Sequence, residues 1–201
     1  MANHTSGRNR KHRKEGLAHG FADVRVAILS ASNQHPSASR RIAARVAELA
    51  EAKGASVDTI DLANTPLGLY DGAPLDGHHA KLVARFNEAD AHVIATPIYN
   101  FAASAATQNF LTLALDPNGP RSKPFLIAAA AGSRAAMLST DSLARAMLHC
   151  VGGIQVAPTY FRFGDDLPGT DDSRLAEAVA LLVLVARATR QLRASHLVRA
   201  A

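Results

Sequence analysis

From residue 24 onward, short apolar runs alternate with helix-length segments, the pattern of a parallel sheet whose strands are joined by crossover helices. Five strands are predicted, at 24–30 (VRVAILS), 56–61 (SVDTID), 91–96 (AHVIAT), 124–130 (PFLIAAA) and 154–158 (IQVAP), with helices over 38–53, 78–89, 103–115, 136–151 and 172–194. The second strand alternates apolar and polar residues, whereas the first, third and fourth are almost continuously apolar. That difference places strand two at an edge and the others in the interior. The expectation is an α/β fold: a three-layer α/β/α sandwich around a five-stranded parallel sheet in the order 2-1-3-4-5.

Local signals agree with this layout. In the first helix Ile42, Val46 and Leu49 form one apolar stripe, Ser37 or Ser39 can cap the start, and Gly54 can take the left-handed position past the end. The last helix carries Leu175, Val179, Leu182 and Ala186 on one face, with Asp171, Asp172 and Ser173 where negative charge suits the helix dipole. Residues 62–77 are too rich in Gly and Pro for an element and read as a long loop over the sheet edge. No internal repeat is visible.

The net charge of +5 raises the question of an acidic partner. Within residues 1–20, Arg8, Arg10, Lys11, Arg13 and Lys14 stand against Glu15, so this segment holds +4 and leaves +1 for the rest. The chain therefore reads as a flexible basic N-terminal tail, 1–20, and one nearly neutral domain, 21–201, which argues against nucleic-acid binding. A single cysteine excludes an internal disulfide, and no apolar run approaches the roughly 20 residues that span a bilayer. A cytoplasmic protein with no membrane association is expected.

In an open parallel sheet, ligands bind beyond the carboxyl ends of the strands, near the point where strand order reverses. Three loops meet that condition: SASNQHPSAS after strand one, TPIYNFAAS after strand three and AGSRAAM after strand four. Hydroxyls and unpaired amides at a helix N-terminus suit a phosphate, and Ser32, Ser37 and Ser39 are the candidate donors. The same serines are equally good ordinary caps. The chain has neither the Walker pattern nor the dinucleotide G-x-G-x-x-G pattern, so a hydroxyl-lined loop on this sheet points to flavin mononucleotide. In the second loop, Pro97 stiffens the exit, and Ile98, Tyr99 and Asn100 offer an apolar and aromatic wall with one amide. Read alone, this stretch is a polar turn with a half-buried tyrosine. In the third, Gly132 and Ser133 allow close backbone approach to a flat ring, while Arg134 is either a partner for a nicotinamide nucleotide phosphate or a solvated surface cation.

Together these stretches resemble the flavodoxin-like NAD(P)H-dependent FMN reductases, especially those that supply reduced flavin to sulfonate-cleaving monooxygenases. That family shows a G-S-x-R-x-x-S-x-N-type loop, a DL-x-x-x-P-L-x-x-Y-D loop, A-T-P-x-Y-N running into G-x-L-K-N, and a Gly-rich loop after strand four. Here they stand as ASNQHPSAS, DLANTPLGLYD, ATPIYNFAASAATQN and AAGSRAAML, over about residues 24–165. Two cations are replaced, by Gln34 and Gln108. A charged hydrogen bond contributes about 1.5–3 kcal/mol and a neutral one about 0.5–1.5, so phosphate affinity is expected to be about tenfold weaker.

The resemblance implies FMN and NADPH (or NADH) as the two reactants. Hydride then passes between cofactor rings held about 3–3.5 Å apart, with no side chain as acid, base or nucleophile. It also implies a homodimer or homotetramer and, as one partner, a flavin-dependent monooxygenase. Two alternatives stay open: a reductase of the same fold that keeps FMN bound and passes electrons to quinones, azo dyes or metal ions, and a non-catalytic electron carrier.

Other candidates carry less. Cys150 is expected to be a buried, inert thiol on the apolar side of its helix, and His92 and His149 to be structural. His78 and His79 are adjacent in sequence and cannot present one helix face to a metal ion. The GDD triplet at 164–166 sits in a Gly/Pro-rich turn and is a weak metal motif.

Overall fold

The computed structural model of the chain describes residues 23–65, 67–73, 75–115, 119–164 and 172–200. The basic segment 1–20, Asp171 and the two aspartates of the GDD triplet lie outside the described residues. The elements run β1 (Arg25–Ser30), α1 (Ala38–Ala52), β2 (Ser56–Asp61), α2 (Gly77–Glu88), β3 (Ala91–Tyr99), β4 (Ala102–Ala103), α3 (Ala105–Ala114) and β5 (Pro124–Ala131). A 3-10 helix (Arg134–Thr140), α4 (Asp141–Val151), β6 (Ile154–Gln155), β7 (Tyr160–Phe163) and α5 (Ser173–Ala200) complete the chain.

The sheet order is β2-β1-β3-β5-β6, with β7 continuing along β5 beyond β6. Every pairing is parallel except the short β4, which folds back on β3. Because side chains alternate across a strand, the two faces build separate cores. On one face Leu29, Ile94 and Ile127 meet Phe86 of α2, Phe110 of α3 and Met147 of α4. On the other Val26, Ile28, Val93 and Leu126 meet Ile42 and Val46 of α1 and Leu175, Val179 and Leu182 of α5. The three-layer sandwich and strand order are as expected, and β2 is indeed the half-exposed edge.

Caps follow the sequence as well. Ser37 Oγ accepts from the Arg40 amide at 3.2 Å, and Gly54 takes φ +75° after α1, its amide donating to Glu51 O at 2.8 Å. Asp172 accepts from the amide of Leu175 at the start of α5.

Four details differ from expectation. The fifth strand, read over 154–158, is split into β6 and β7, because Pro158 lacks the amide a ladder needs and restricts the residue before it. The helix read over 136–151 begins as a 3-10 segment started by Ser133 Oγ, which accepts from the Ala135 amide at 3.1 Å. The helix read from 103 starts at Ala105, since Ala102 and Ala103 form β4. Strand three is longer than its apolar core: it runs on through Pro97, Ile98 and Tyr99, so these are strand residues and not loop residues.

Cys150 corrects another expectation, for it is exposed. The buried stripe of α4 is Leu143, Met147 and Val151, and a residue one step before Val151 is turned about 100° away from that line. His149, two steps and about 200° from Val151, is exposed as well, against the expectation of a structural role. His92, by contrast, is fully buried: its Nε2 lies 2.9 Å from Phe86 O, its ring packs on Phe86, and burial pushes its pKa down to about 3.

Candidate functional site

The three loops meet at the C-terminal edge of the sheet because their strands are neighbours. Ala31 N donates to Ala95 O at 3.0 Å just past the end of β1, and Ile98 of β3 pairs with Ala131 of β5, which sets Gly132 level with Tyr99.

The first loop buries most of its hydroxyls. Ser32 and Ser39 are each 1% exposed and Ser37 9%. Ser32 Oγ accepts from the Gln34 amide at 3.2 Å, and Ser37 Oγ, already the cap of α1, lies 3.2 Å from Ser39 Oγ. Capping is therefore what Ser37 does, and Ser39 stands inside α1. Asn33, Gln34, His35 and Pro36 form the exposed rim.

Arg40, which the sequence analysis did not single out, organises this loop. Its Nη2 donates to Ser32 O at 3.1 Å and to Asp61 Oδ1, at the end of β2, at 3.2 Å, and its Nη1 lies 2.6–2.8 Å from the His35 ring nitrogens. A cation three residues after a capping serine was the available signal. Its partner 21 residues away was not.

A buried hydroxyl cluster ties the first loop to the second. Ser104 Oγ donates to Ala31 O at 2.9 Å, lies 2.8 Å from Thr107 Oγ1 and caps α3, while Thr96 Oγ1 sits 2.6 Å from Thr107 Oγ1 and donates to Pro97 O at 3.0 Å. Every hydroxyl in the cluster has a partner, so β3, α3 and the exit of β1 are held in one arrangement. None of Thr96, Ser104 and Thr107 stood out in sequence, because small hydroxyls are common at caps and turns.

Of the wall residues, Ile98 is 4% exposed and belongs to the core, and Pro97 is buried within β3. Tyr99 is 42% exposed. Asn100 and Phe101 make the two-residue turn into β4, both with left-handed backbone. In the third loop Gly132, Ser133 and Arg134 are all exposed, and a Cβ built on Gly132 would meet nothing within 4 Å. Gln108 is exposed one turn into α3.

Between the first two loops lies a cleft of about 260 Å³ lined by Ala31, Asn33, Gln34, Tyr99, Ser104, Ala105 and Ala106. A larger hollow of about 430 Å³ runs between residues 156–161 and the first turns of α5, on the outer edge of the sheet. That hollow follows the end of β6, at the edge away from the point where the strand order reverses between β1 and β3, so size is a poorer guide here than topology. The cleft is mainly apolar, with Gln34 and the exposed Tyr99 on its rim, which suits a flat ring; the neutral amides and hydroxyls at the start of the 15-residue α1 lie in the adjoining loop, and Gly132 leaves open space at the same sheet edge.

Comparison with known proteins agrees with this fold. Residues 24–167 match the family described as NADPH-dependent FMN reductase. No curated protein matches the sequence. Among solved structures, the fold resembles an NADH:FMN oxidoreductase in its apo form, with a TM-score of 0.67 at 22% identity over 81% of this chain and 89% of that one. It also resembles the NAD(P)H:(acceptor) oxidoreductase of Paracoccus denitrificans, with a TM-score of 0.63 at 20% identity over 82% and 95% of the two chains. A Streptococcus pneumonia flavodoxin follows, with a TM-score of 0.58 at 17% identity over 80% and 98%.

Proposed function

From the premise that this chain belongs to the NADPH-dependent FMN reductase family, and is thus an oxidoreductase that reduces flavin with NAD(P)H, we propose that it treats FMN as a substrate and releases it reduced to a partner such as a monooxygenase. The observation that carries this reading is that Arg40, in the first turn after the phosphate loop, has its guanidinium engaged by Asp61 and Ser32 O, while Gln34 in the loop and Gln108 on α3 stand where the family pattern has cations. Neutral donors hold a phosphate less tightly than cations do, which favours release.

When bound, FMN supplies a ring that accepts a hydride from the nicotinamide. The chain's own part is placement. Ser32, Gln34, Ser37 and Ser39, with the amides at the start of α1, form the phosphate end. Pro97, Ile98, Tyr99 and Asn100 form the wall, with Ile98 supporting it from the core, and Gly132, Ser133 and Arg134 form the floor open to the nicotinamide nucleotide. The Ser104–Thr107–Thr96 cluster keeps loop and wall at fixed separation, so the site is organised before either reactant arrives.

A cleft of about 260 Å³ is smaller than the roughly 300–1,000 Å³ that encloses a drug-sized ligand. A second copy of the chain completes the enclosure in this reading, as a homodimer or homotetramer, and exposed Leu69, Tyr70, Met137 and Leu138 supply apolar surface for it. Residues 21–201 act as one cytoplasmic domain, with 1–20 as a basic tail that takes no part in the chemistry. No helix among the described residues is long and apolar enough to cross a membrane.

The test is oxidation of NADPH and of NADH by purified protein, in air, with and without added FMN. Turnover that needs added FMN and saturates with it is expected. Turnover by yellow protein with no added FMN would replace this reading with a bound-flavin reductase acting on quinones, azo dyes or metal ions.

A further inference from the structure

Lys123 immediately precedes β5, at the end of the sheet opposite the cleft. Its side chain is half-buried, and its ammonium donates to Asn87 O in the last turn of α2. Among the described residues it makes no other hydrogen bond and no ion pair. The carboxylates nearby are committed elsewhere. Asp90 accepts from the Arg25 amide at 2.9 Å and pairs with Arg190 of α5 at 3.0 Å, and Glu88 pairs with Arg25 at 3.2 Å. Arg193 of α5 is anchored beside Lys123, donating to Ser122 O at 2.9 Å, and His92 of β3, held neutral by burial, adds no charge of either sign.

A half-buried ammonium near two guanidinium groups, with no carboxylate of its own, is disfavoured against the neutral amine. Burial, with Arg193 and Arg25, pushes Lys123 down to about 8 against the opposing pull of Asp90 and Glu88. The neutral amine is the nucleophile, and it is far more common here at neutral pH than on an ordinary lysine. The bonding points the same way. One N–H serves Asn87 O, and an amide formed on Nζ retains one N–H, so that bond survives acylation. We infer that Lys123 is an acylation site, and that its substrates are small activated acyl groups, carried as acyl phosphates or as thioesters. The neutral Nζ attacks the acyl carbon, and the C–N bond forms as the bond to the phosphate oxygen or thiolate sulfur breaks. The leaving group takes the bonding pair, and the proton of the amine goes to water. The site lies at the far end of the sheet and does not depend on the flavin-binding reading of the cleft.

The test incubates the full chain with acetyl phosphate or with acetyl-CoA over a range of pH, folded and in urea, and follows each lysine by peptide mass spectrometry. Near neutral pH, Lys123 of the folded protein should react about tenfold or more faster than the same lysine in urea, and faster than the exposed Lys53 and Lys81. Its rate should level off above a pH of about 8 when folded and keep rising in urea. Protein acetylated at Lys123 should melt no lower than unmodified protein, because the charge removed was disfavoured in the fold. Reaction with only one of the two reagents would support the site and narrow the donor to that class. A folded Lys123 that reacts no faster than Lys53 and Lys81, or no faster than it does in urea, would overturn the inference, as would a lower melting temperature of the acetylated protein.

Discussion

The two ends of the sheet follow opposite rules. At the C-terminal end, the loops after β1, β3 and β5 expose Gln34, Tyr99, Phe101 and Arg134, place two non-glycine residues in left-handed backbone, and leave open space over Gly132. Through the middle and towards the N-terminal end, packing is tight and protonation is displaced. His92 is held neutral by burial, Lys123 is lowered to about 8 by burial, its ammonium donating to Asn87 O, and the Arg85 ion pair holds Asp58 below the usual carboxylate range. None of these perturbed groups borders the cleft. Perturbed protonation therefore goes with packing in this protein and exposed aromatics with the loop end, while left-handed non-glycine backbone occurs at both, at Asn100 and Phe101 and at Ser122 ahead of β5.

The largest effect that can break this division is expected at Phe110, fully buried on α3 and packed edge-on against Phe86 at 5.2 Å. Phe110→Ala should cost about 3–5 kcal/mol by denaturant unfolding. Flavin affinity of the fraction that stays folded should change much less, and a loss of affinity as large as the loss of stability would merge the two ends into one unit. Gly153→Ala comes next, since its Cβ would stand 2.9 Å from the Phe125 ring and 3.0 Å from Met147 O. A loss of about 1–3 kcal/mol is expected, with the KM for FMN unmoved.

Between pH 7 and 5, acid should act through the packed end. His92 has a folded pKa of about 3 against 6.5 in the unfolded chain, so the native state refuses a proton that the unfolded state accepts. Stability from this source is complete above pH 6.5 and falls as pH drops towards 3, by up to about 1.4 kcal/mol per unit. Urea midpoints from pH 7 to 5 should decline, and more shallowly in His92→Gln. Equal slopes in the two proteins would assign the acid sensitivity elsewhere. The smallest effect is expected for Ser37→Ala, which removes the α1 cap: about 1 kcal/mol in stability and a loss of FMN affinity relative to riboflavin of no more than a few-fold. A large selective loss for FMN would show that Ser37 serves the phosphate more than the helix.

Some of the site was legible in advance and some was not, and the boundary is physical. Ser37 as a cap, Gly54 as a left-handed terminus and the three loops at one sheet edge follow from local backbone preference and from the order of apolar runs. The continuation of β3 through Pro97–Tyr99 did not, because a proline and a tyrosine read as the end of a strand. The turn at Asn100–Phe101 was hidden by a phenylalanine where the signal for such a turn is glycine. Cys150 was misplaced by a single helical step of about 100°.

By itself, the sequence determined the layers, the strand order and the two apolar faces, since these depend on periodicities of two and 3.6 residues that any stretch of chain carries within itself. Only the tertiary structure decided that Arg40 clasps Asp61 across 21 residues, that Ser104 reaches Ala31 across 73, and that Ser104, Thr107 and Thr96 join in one buried cluster. Those relations join groups remote along the chain, and no local propensity encodes a partner that folding alone brings within hydrogen-bond distance.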